Sequence, residues 1–214
     1  MWYNEVMDGQ EYLNQISAAN RPASKVGGNK GGILSSKFVL VGIIGLAALV
    51  VIIIIGSLLG GGKGGEKNIG TALILHLDST KEVAQEYQDS VKSSELRSYC
   101  ATLTGVLSNT SSDLTKYMEE KYDFKANKAD KKLVEAANTA KDELNSELFE
   151  AKINGILDRI FAHKMAYEIS LITAEETKLD KATKSDFVKE ALSTSMSSLE
   201  TLYDNFNNFS EGGK

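Results

Sequence analysis

The side chains best suited to chemistry in this sequence are two histidines, His76 and His163. A metal centre in a helical protein needs several converging ligands, commonly with Glu-x-x-His spacing, and neither histidine has an acid three residues before it. His76 falls on an apolar helix face, which favours a hydrogen-bonded core histidine. His163 lies one turn from Arg159 and from Tyr167, as in a surface or rim cluster. A catalytic base would also need a nucleophile and an orienting acid.

Carboxylates and serines offer no clearer chemistry. The acidic pairs Glu119-Glu120 and Glu175-Glu176 sit beside lysines, so we interpret both pairs as parts of solvated helix faces. The serine-rich stretch 193–198 lacks G-x-S-x-G, S-x-x-K or any other nucleophile context. Glycines are concentrated outside the helical region, where no phosphate-binding loop follows a strand. We therefore predict no catalytic, cofactor-binding or metal-binding residues and expect that the protein is not an enzyme.

The composition of the chain limits the kinds of partner that we expect it to bind. The 214-residue chain has a formal net charge of −5, but residues 66–214 hold 19 basic against 26 acidic side chains, for −7. This acidic region has no basic stripe for phosphates, so nucleic acid is not an expected partner. The single cysteine, Cys100, cannot form an intramolecular disulfide. We expect a buried thiol on an apolar helix face.

One segment, residues 38–59, is almost purely apolar: FVLVGIIGLAALVVIIIIGSLL. At about 1.5 Å per residue its length is roughly 33 Å, which is enough to cross the hydrocarbon core of a bilayer. Within lipid, the backbone must satisfy its own hydrogen bonds, which favours a helix. A cleaved signal peptide is the alternative, but its apolar part is normally shorter and closer to the N-terminus. We predict a single transmembrane helix that contacts the membrane lipid.

The flanks of this segment predict its direction. Arg21, Lys25, Lys30 and Lys37 precede it with no acid among them, whereas Lys63 and Lys67 follow it. Basic residues favour the cytoplasmic side. We therefore expect a cytoplasmic N-terminus and an extracytoplasmic C-terminal domain.

Around the apolar segment the sequence divides into regions of different composition. Residues 1–37 are predicted to form a short cytoplasmic tail, largely flexible, and residues 60–67 are predicted to form a Gly-rich linker. Residues 68–209 contain no proline and repeat apolar positions at spacings of three and four, which indicates amphipathic helices. Residues 210–214 are expected to be a disordered C-terminus.

We predict that the helical region folds as an all-α antiparallel bundle of four to five helices, since the apolar face of each helix must be covered by another helix. A polar interruption at 109–113 suggests that a new helix begins there with a capping box. Residues 123–128 are predicted to be a loop, and Asn154-Gly155 is predicted to bend or split a long helix. Ser185 is expected to cap the last helix, whose apolar residues follow a heptad pattern: Val188, Leu192, Ser195, Leu199, Leu202, Phe206 and Phe209.

These features predict a membrane-anchored envelope protein whose external bundle binds another protein or assembles a surface complex. A homo-oligomer is also compatible with the sequence. The alternative is a small-ligand sensor on a membrane tether, with an internal pocket lined by residues such as His76, Tyr87 and Tyr99. An enzyme would require a cleft in which His163 meets carboxylates of perturbed pKa.

Overall fold

A computed structural model describes residues 65–125 and 129–210. The predicted tail 1–37, the predicted transmembrane helix 38–59, the first part of the predicted linker and the last four residues lie outside these ranges. Within them the protein is all-α, without strands, and has five helices. They are α1 (Gly65–Gln88), α2 (Ser94–Tyr122), α3 (Lys131–Ile153), α4 (Leu157–Ala182) and α5 (Asp186–Asn207). The predicted all-α helical bundle is thereby confirmed.

Four of the helices form an antiparallel ring in which α1 contacts α2, α2 contacts α5, α5 contacts α4, and α4 contacts α1. Hydrogen bonds between these helices show that neighbouring helices run in opposite directions. Glu66 at the start of α1 bonds to Lys121 at the end of α2, and Glu176 of α4 bonds to Ser195 of α5. Helix α3 lies outside the ring against α1 and α4, with only Leu133, Leu144, Leu148 and Ala151 buried.

Two predicted helix boundaries need correction. Helix α1 begins at Gly65, so the last residues of the predicted linker 60–67 are helical. Helix α2 continues through the polar interruption at 109–113 instead of starting a new helix there. The two buried hydroxyls within this interruption have partners, because Thr110 donates to the carbonyl of Val106 and Ser111 donates to Asp78 of α1. Polar residues satisfied in this way do not end a helix.

Three other boundary predictions are confirmed. Residues 123–125, the described part of the predicted loop, are non-helical. Asn154 is the C-cap of α3, and Gly155 has a φ of 71°, a left-handed conformation that glycine adopts without strain. The side chain of Ser185 accepts a hydrogen bond from the amide of Val188 and so caps α5.

The core of the described domain is continuous from one end of the ring to the other. Every heptad position from Val188 to Phe206 is buried, and Phe209 packs against the same core while partly exposed. Among the described helices, none combines the length and the apolar character that crossing a bilayer requires.

Candidate functional site

His76 of α1 lies between two carboxylates of α4. Its Nδ1 is 3.0 Å from Oε2 of Glu175, and its Nε2 is 2.9 Å from Oε2 of Glu168. The three side chains are largely withdrawn from water, with 13%, 6% and 16% of their surface exposed in the order His76, Glu175, Glu168. Glu168 and Glu175 stand two helical turns apart, which leaves room for one imidazole ring between them. The trio joins α1 to α4 at the middle of the bundle.

The two carboxylates determine the charge of this histidine. Burial by itself lowers the pKa of His76, but the nearby charge of Glu175 and the hydrogen bonds to both glutamates raise it to about 10. The ring is therefore an imidazolium at neutral pH, and both of its N–H groups donate to carboxylates. In this state His76 carries a proton on both ring nitrogens and offers no lone pair. It acts as an electrostatic link between two helices.

Glu176, the next residue along α4, faces α5. Its side chain is fully buried, and Ser195 donates its hydroxyl proton to Oε1 at 2.6 Å. The second oxygen, Oε2, is buried without a hydrogen-bond partner among the described residues. Burial raises the pKa of Glu176 to about 7; the hydrogen bond from Ser195 opposes this rise, and the charge of Glu175 adds to it. The carboxyl group is thus poised between its neutral and charged forms near neutral pH.

The prediction that Glu175-Glu176 is solvated is wrong, whereas Glu119-Glu120 is exposed as predicted. Helix α4 touches α1, α3 and α5, so it buries two adjacent stripes of residues instead of one. The two glutamates continue the doublets that begin this helix, which are Leu157-Asp158, Phe161-Ala162 and Met165-Ala166. The repeated doublet is the sequence pattern that indicates their burial. The nearby lysines instead favoured a solvated helix face in the sequence analysis.

Glu66 organises the end of the bundle at which α1 begins. Its carboxylate accepts hydrogen bonds from Tyr117 at 2.5 Å, from Lys121 and Tyr122 at 2.9 Å each, and from Thr183 at 2.9 Å. Partial burial acts to raise the pKa of Glu66, but these four donors outweigh it and hold the pKa at about 2. The start of α1 is thereby fastened to the ends of both α2 and α4.

Asp158 performs a similar role at the opposite end. Its carboxylate accepts hydrogen bonds from the backbone amides of Lys92, at 2.9 Å, and Ser93, at 2.8 Å. These amides belong to the last two residues of the α1–α2 connection, directly before α2 begins at Ser94. The α1–α2 connection is thus anchored on the first turn of α4. Neither anchor was predicted from the sequence, because each joins residues that are far apart in the chain.

The other candidate residues do not come together in one site. His163 is exposed, and the histidine that contacts carboxylates is instead His76. The hydroxyl of Tyr87 donates to the backbone of Asn145 on α3, and the ring of Tyr99 packs edge-on against a phenylalanine of α5. The three residues of the sensor alternative therefore face three different helices. Cys100 is fully buried, as predicted, and burial raises the pKa of its thiol to about 12.

Within residues 65–125 and 129–210, no three side chains of His, Cys, Asp or Glu are arranged to hold a metal ion. Comparisons with protein-family models, with characterised proteins and with solved structures find no match to this chain.

Proposed function

We propose that this chain is a non-enzymatic, membrane-anchored envelope protein whose external helical bundle binds another protein or helps to assemble a surface complex. The observation that carries this proposal is a pair of large apolar side chains in contact with solvent on α3. Phe149 is 58% exposed and Ile153 is 68% exposed, and they stand one helical turn apart on the same face. Single exposed apolar residues are ordinary, but an adjacent pair of this size favours a binding surface.

The position of the pair suits a docking role. Phe149 and Ile153 lie at the end of α3, at the level of the α1–α2 connection, as the hydrogen bond from Lys152 to Ser90 shows. This is the end of the bundle remote from Glu66, where α1 begins. With about 1.5 Å per residue, α1 separates the two ends by roughly 35 Å. A bilayer crossed by the predicted segment 38–59 would adjoin the start of α1, and this end of the bundle would then be open to a partner.

A groove adjoins the same end of the bundle. It has a volume of about 500 Å³ and is lined by residues in or next to one end of each of the five helices, including Lys152, Leu157 and Phe209. Aromatic and aliphatic anchors beside a groove are the usual centre of a protein interface. The predicted membrane segment 38–59 and its basic N-terminal flank supply the anchor and the orientation of the proposal. The net charge of −7 in residues 66–214 favours a protein partner over nucleic acid.

Site-specific photo-crosslinking in intact membranes tests the proposal. A photoreactive residue at Phe149 or Ile153 should give discrete adducts with a partner protein. The same residue at Asn138, which is exposed on the same helix, should give only background. The double substitution F149A/I153A should release the partner without unfolding the helices, which circular dichroism can verify. Adducts no stronger than those from position 138, or a partner retained by F149A/I153A, would contradict the proposal.

A further inference from the structure

A second surface, the groove between α2 and α5, has a chemistry of its own. Its volume is about 390 Å³, and its apolar part consists of Val106 on α2 with Phe187 and Ala191 on α5. Phe187 is 49% exposed, which is high for a phenylalanine within a helix. The groove lies along the ring, away from the exposed pair on α3, because α3 contacts neither α2 nor α5 closely.

The hydroxyl groups along this groove all use their single proton inside the chain. Three donate to the carbonyl one turn earlier in the same helix, and one donates to the buried carboxylate behind the groove. The bonds are Thr110 to Val106, Thr194 to Glu190 and Ser198 to Thr194, each at 3.0 Å, and Ser195 to Glu176 at 2.6 Å. A hydroxyl whose proton is engaged can only accept a further hydrogen bond. All four oxygens are therefore acceptors, and those of the exposed Thr194 and the partly exposed Ser198 are open to a ligand, whereas Thr110 and Ser195 are buried.

The charged residues around the groove also favour a ligand that donates hydrogen bonds or carries positive charge. Asp113 and Glu190 line it, no Lys or Arg is among its described lining residues, and Asn109 alone among the described polar lining side chains can also donate. Behind the groove, Glu176 is fully buried next to Ser195 and keeps one oxygen without a hydrogen-bond partner. A buried acceptor without a partner is costly and requires an explanation. The groove thus has no positive charge among its described lining residues and, apart from Asn109, no side chain with a proton free to donate.

We propose that the α2–α5 groove binds a basic, amphipathic segment of a partner polypeptide. Its Lys or Arg side chains donate to the hydroxyl and carboxylate oxygens, and its apolar side chains cover Phe187, Val106 and Ala191. Two features select a polypeptide. A free small cation would leave Phe187 exposed to water, and a second copy of this acidic domain would carry the wrong charge. The inference rests on the proposed protein-binding function and identifies the chemistry of one partner surface.

The test uses the full chain reconstituted in phosphatidylcholine nanodiscs, whose zwitterionic lipid does not attract basic peptides. A displayed library of helical peptides about four turns long is selected for binding to the wild-type protein. The enriched peptides should carry Lys or Arg beside apolar residues at helical spacing. Their affinity should fall by about tenfold or more in D113N/E190Q, in F187A and in T194A/S198A, which removes two acceptors without changing charge.

The matched control is E135Q/D142N, which removes the same charge from a different groove, one of about 440 Å³ along α3. This variant should bind the enriched peptides as the wild type does. Enrichment without basic residues, no enrichment, or an equal loss in E135Q/D142N would overturn the inference. So would spermidine binding that displaces the peptides and is indifferent to F187A, or self-association that F187A abolishes.

The two proposals fail separately. In one outcome, the partner identified by crosslinking is lost from F149A/I153A but retained by D113N/E190Q, and no basic peptide is enriched. The proposed function then stands without the α2–α5 groove. If the peptides bind the groove while positions 149 and 153 give no adducts, the groove inference stands and the α3 surface does not carry the function.

Discussion

His76 and Glu175 are 99 positions apart in the chain, yet Nδ1 of the histidine lies 3.0 Å from Oε2 of the glutamate. Glu168 approaches the other ring nitrogen, so one imidazolium neutralises part of the charge of two carboxylates. Pairs of this kind, largely removed from water, add little stability when intact, since both ions lose hydration. Loss of one member is costly, because the charge that remains is left without a partner. This asymmetry gives the first prediction.

Replacement of His76 by alanine should lower the free energy of unfolding by about 3 kcal/mol or more, because Glu168 and Glu175 then face each other without a counter-charge. Urea denaturation of the purified chain measures the change. Lys141→Ala is the control, since its ion pair with Glu82 is more exposed, and it should cost less than about 1 kcal/mol. A loss no larger for His76→Ala than for Lys141→Ala would contradict the electrostatic link.

The contribution of His76 should also depend on pH. Its pKa in the folded state is raised to about 10, from 6.5 in a solvated histidine, so the folded protein binds this proton more tightly. The stabilisation is complete below pH 6.5 and is lost as the pH rises through about 10. The stability difference between wild type and His76→Ala should therefore shrink between pH 7 and pH 10 in urea titrations. A constant difference over this range would show that the ring is not held as an imidazolium.

Glu176 gives a pH dependence in a lower window. Its folded pKa is raised from 4.5 to about 7, so burial of the charged form costs stability as the pH rises through this interval, by about 1.4 kcal/mol per pH unit. Glu176→Gln should be more stable than the wild type at pH 8 and should lose this advantage at pH 4. The neighbouring Glu175→Gln should instead be less stable at pH 8, because it removes a partner of His76. Equal effects of the two substitutions would refute the distinction.

Glu66 should behave in the opposite way. Its folded pKa is lowered from 4.5 to about 2, so its stabilisation is present above pH 4.5 and disappears as the pH falls toward 2. Glu66→Gln should be less stable than the wild type at pH 7, and the two should converge near pH 2. Glu82→Gln, at a more exposed site, should show little change at either pH. Persistence of the Glu66→Gln defect at pH 2 would rule out a role for the carboxylate charge.

Cys100 should not react with a membrane-impermeant maleimide in the folded protein, because the thiol is fully buried and burial raises its pKa to about 12. Labelling should follow only after denaturation in urea. Topology is then measured with Ser197→Cys, an exposed position on α5, in a Cys100→Ala background. The proposed orientation predicts labelling in intact cells. Labelling of this variant only after lysis would place the bundle in the cytoplasm.

The sequence determined the features that depend on neighbours along the chain. Periodic apolar residues predicted helices, Asn154-Gly155 predicted the α3–α4 break, and Ser185 predicted the cap of α5. The heptad face of α5 and the burial of Cys100 were likewise predictable. In each case the deciding physics acts within one or two helical turns: backbone capping, glycine conformations, or the side of a helix on which an apolar residue falls.

Only the tertiary structure decided which polar residues are buried. The continuity of α2 through 109–113 depends in part on Asp78 of another helix, which accepts the proton of Ser111. Glu175 and Glu176 are buried because α4 has neighbours on three sides, so two adjacent residues both point into helix interfaces. The sequence shows which residues carry a carboxylate, but it does not show which helix will cover each one. The burial and the pKa of each carboxylate follow from that covering, and so does the excess of acceptors in the groove between α2 and α5.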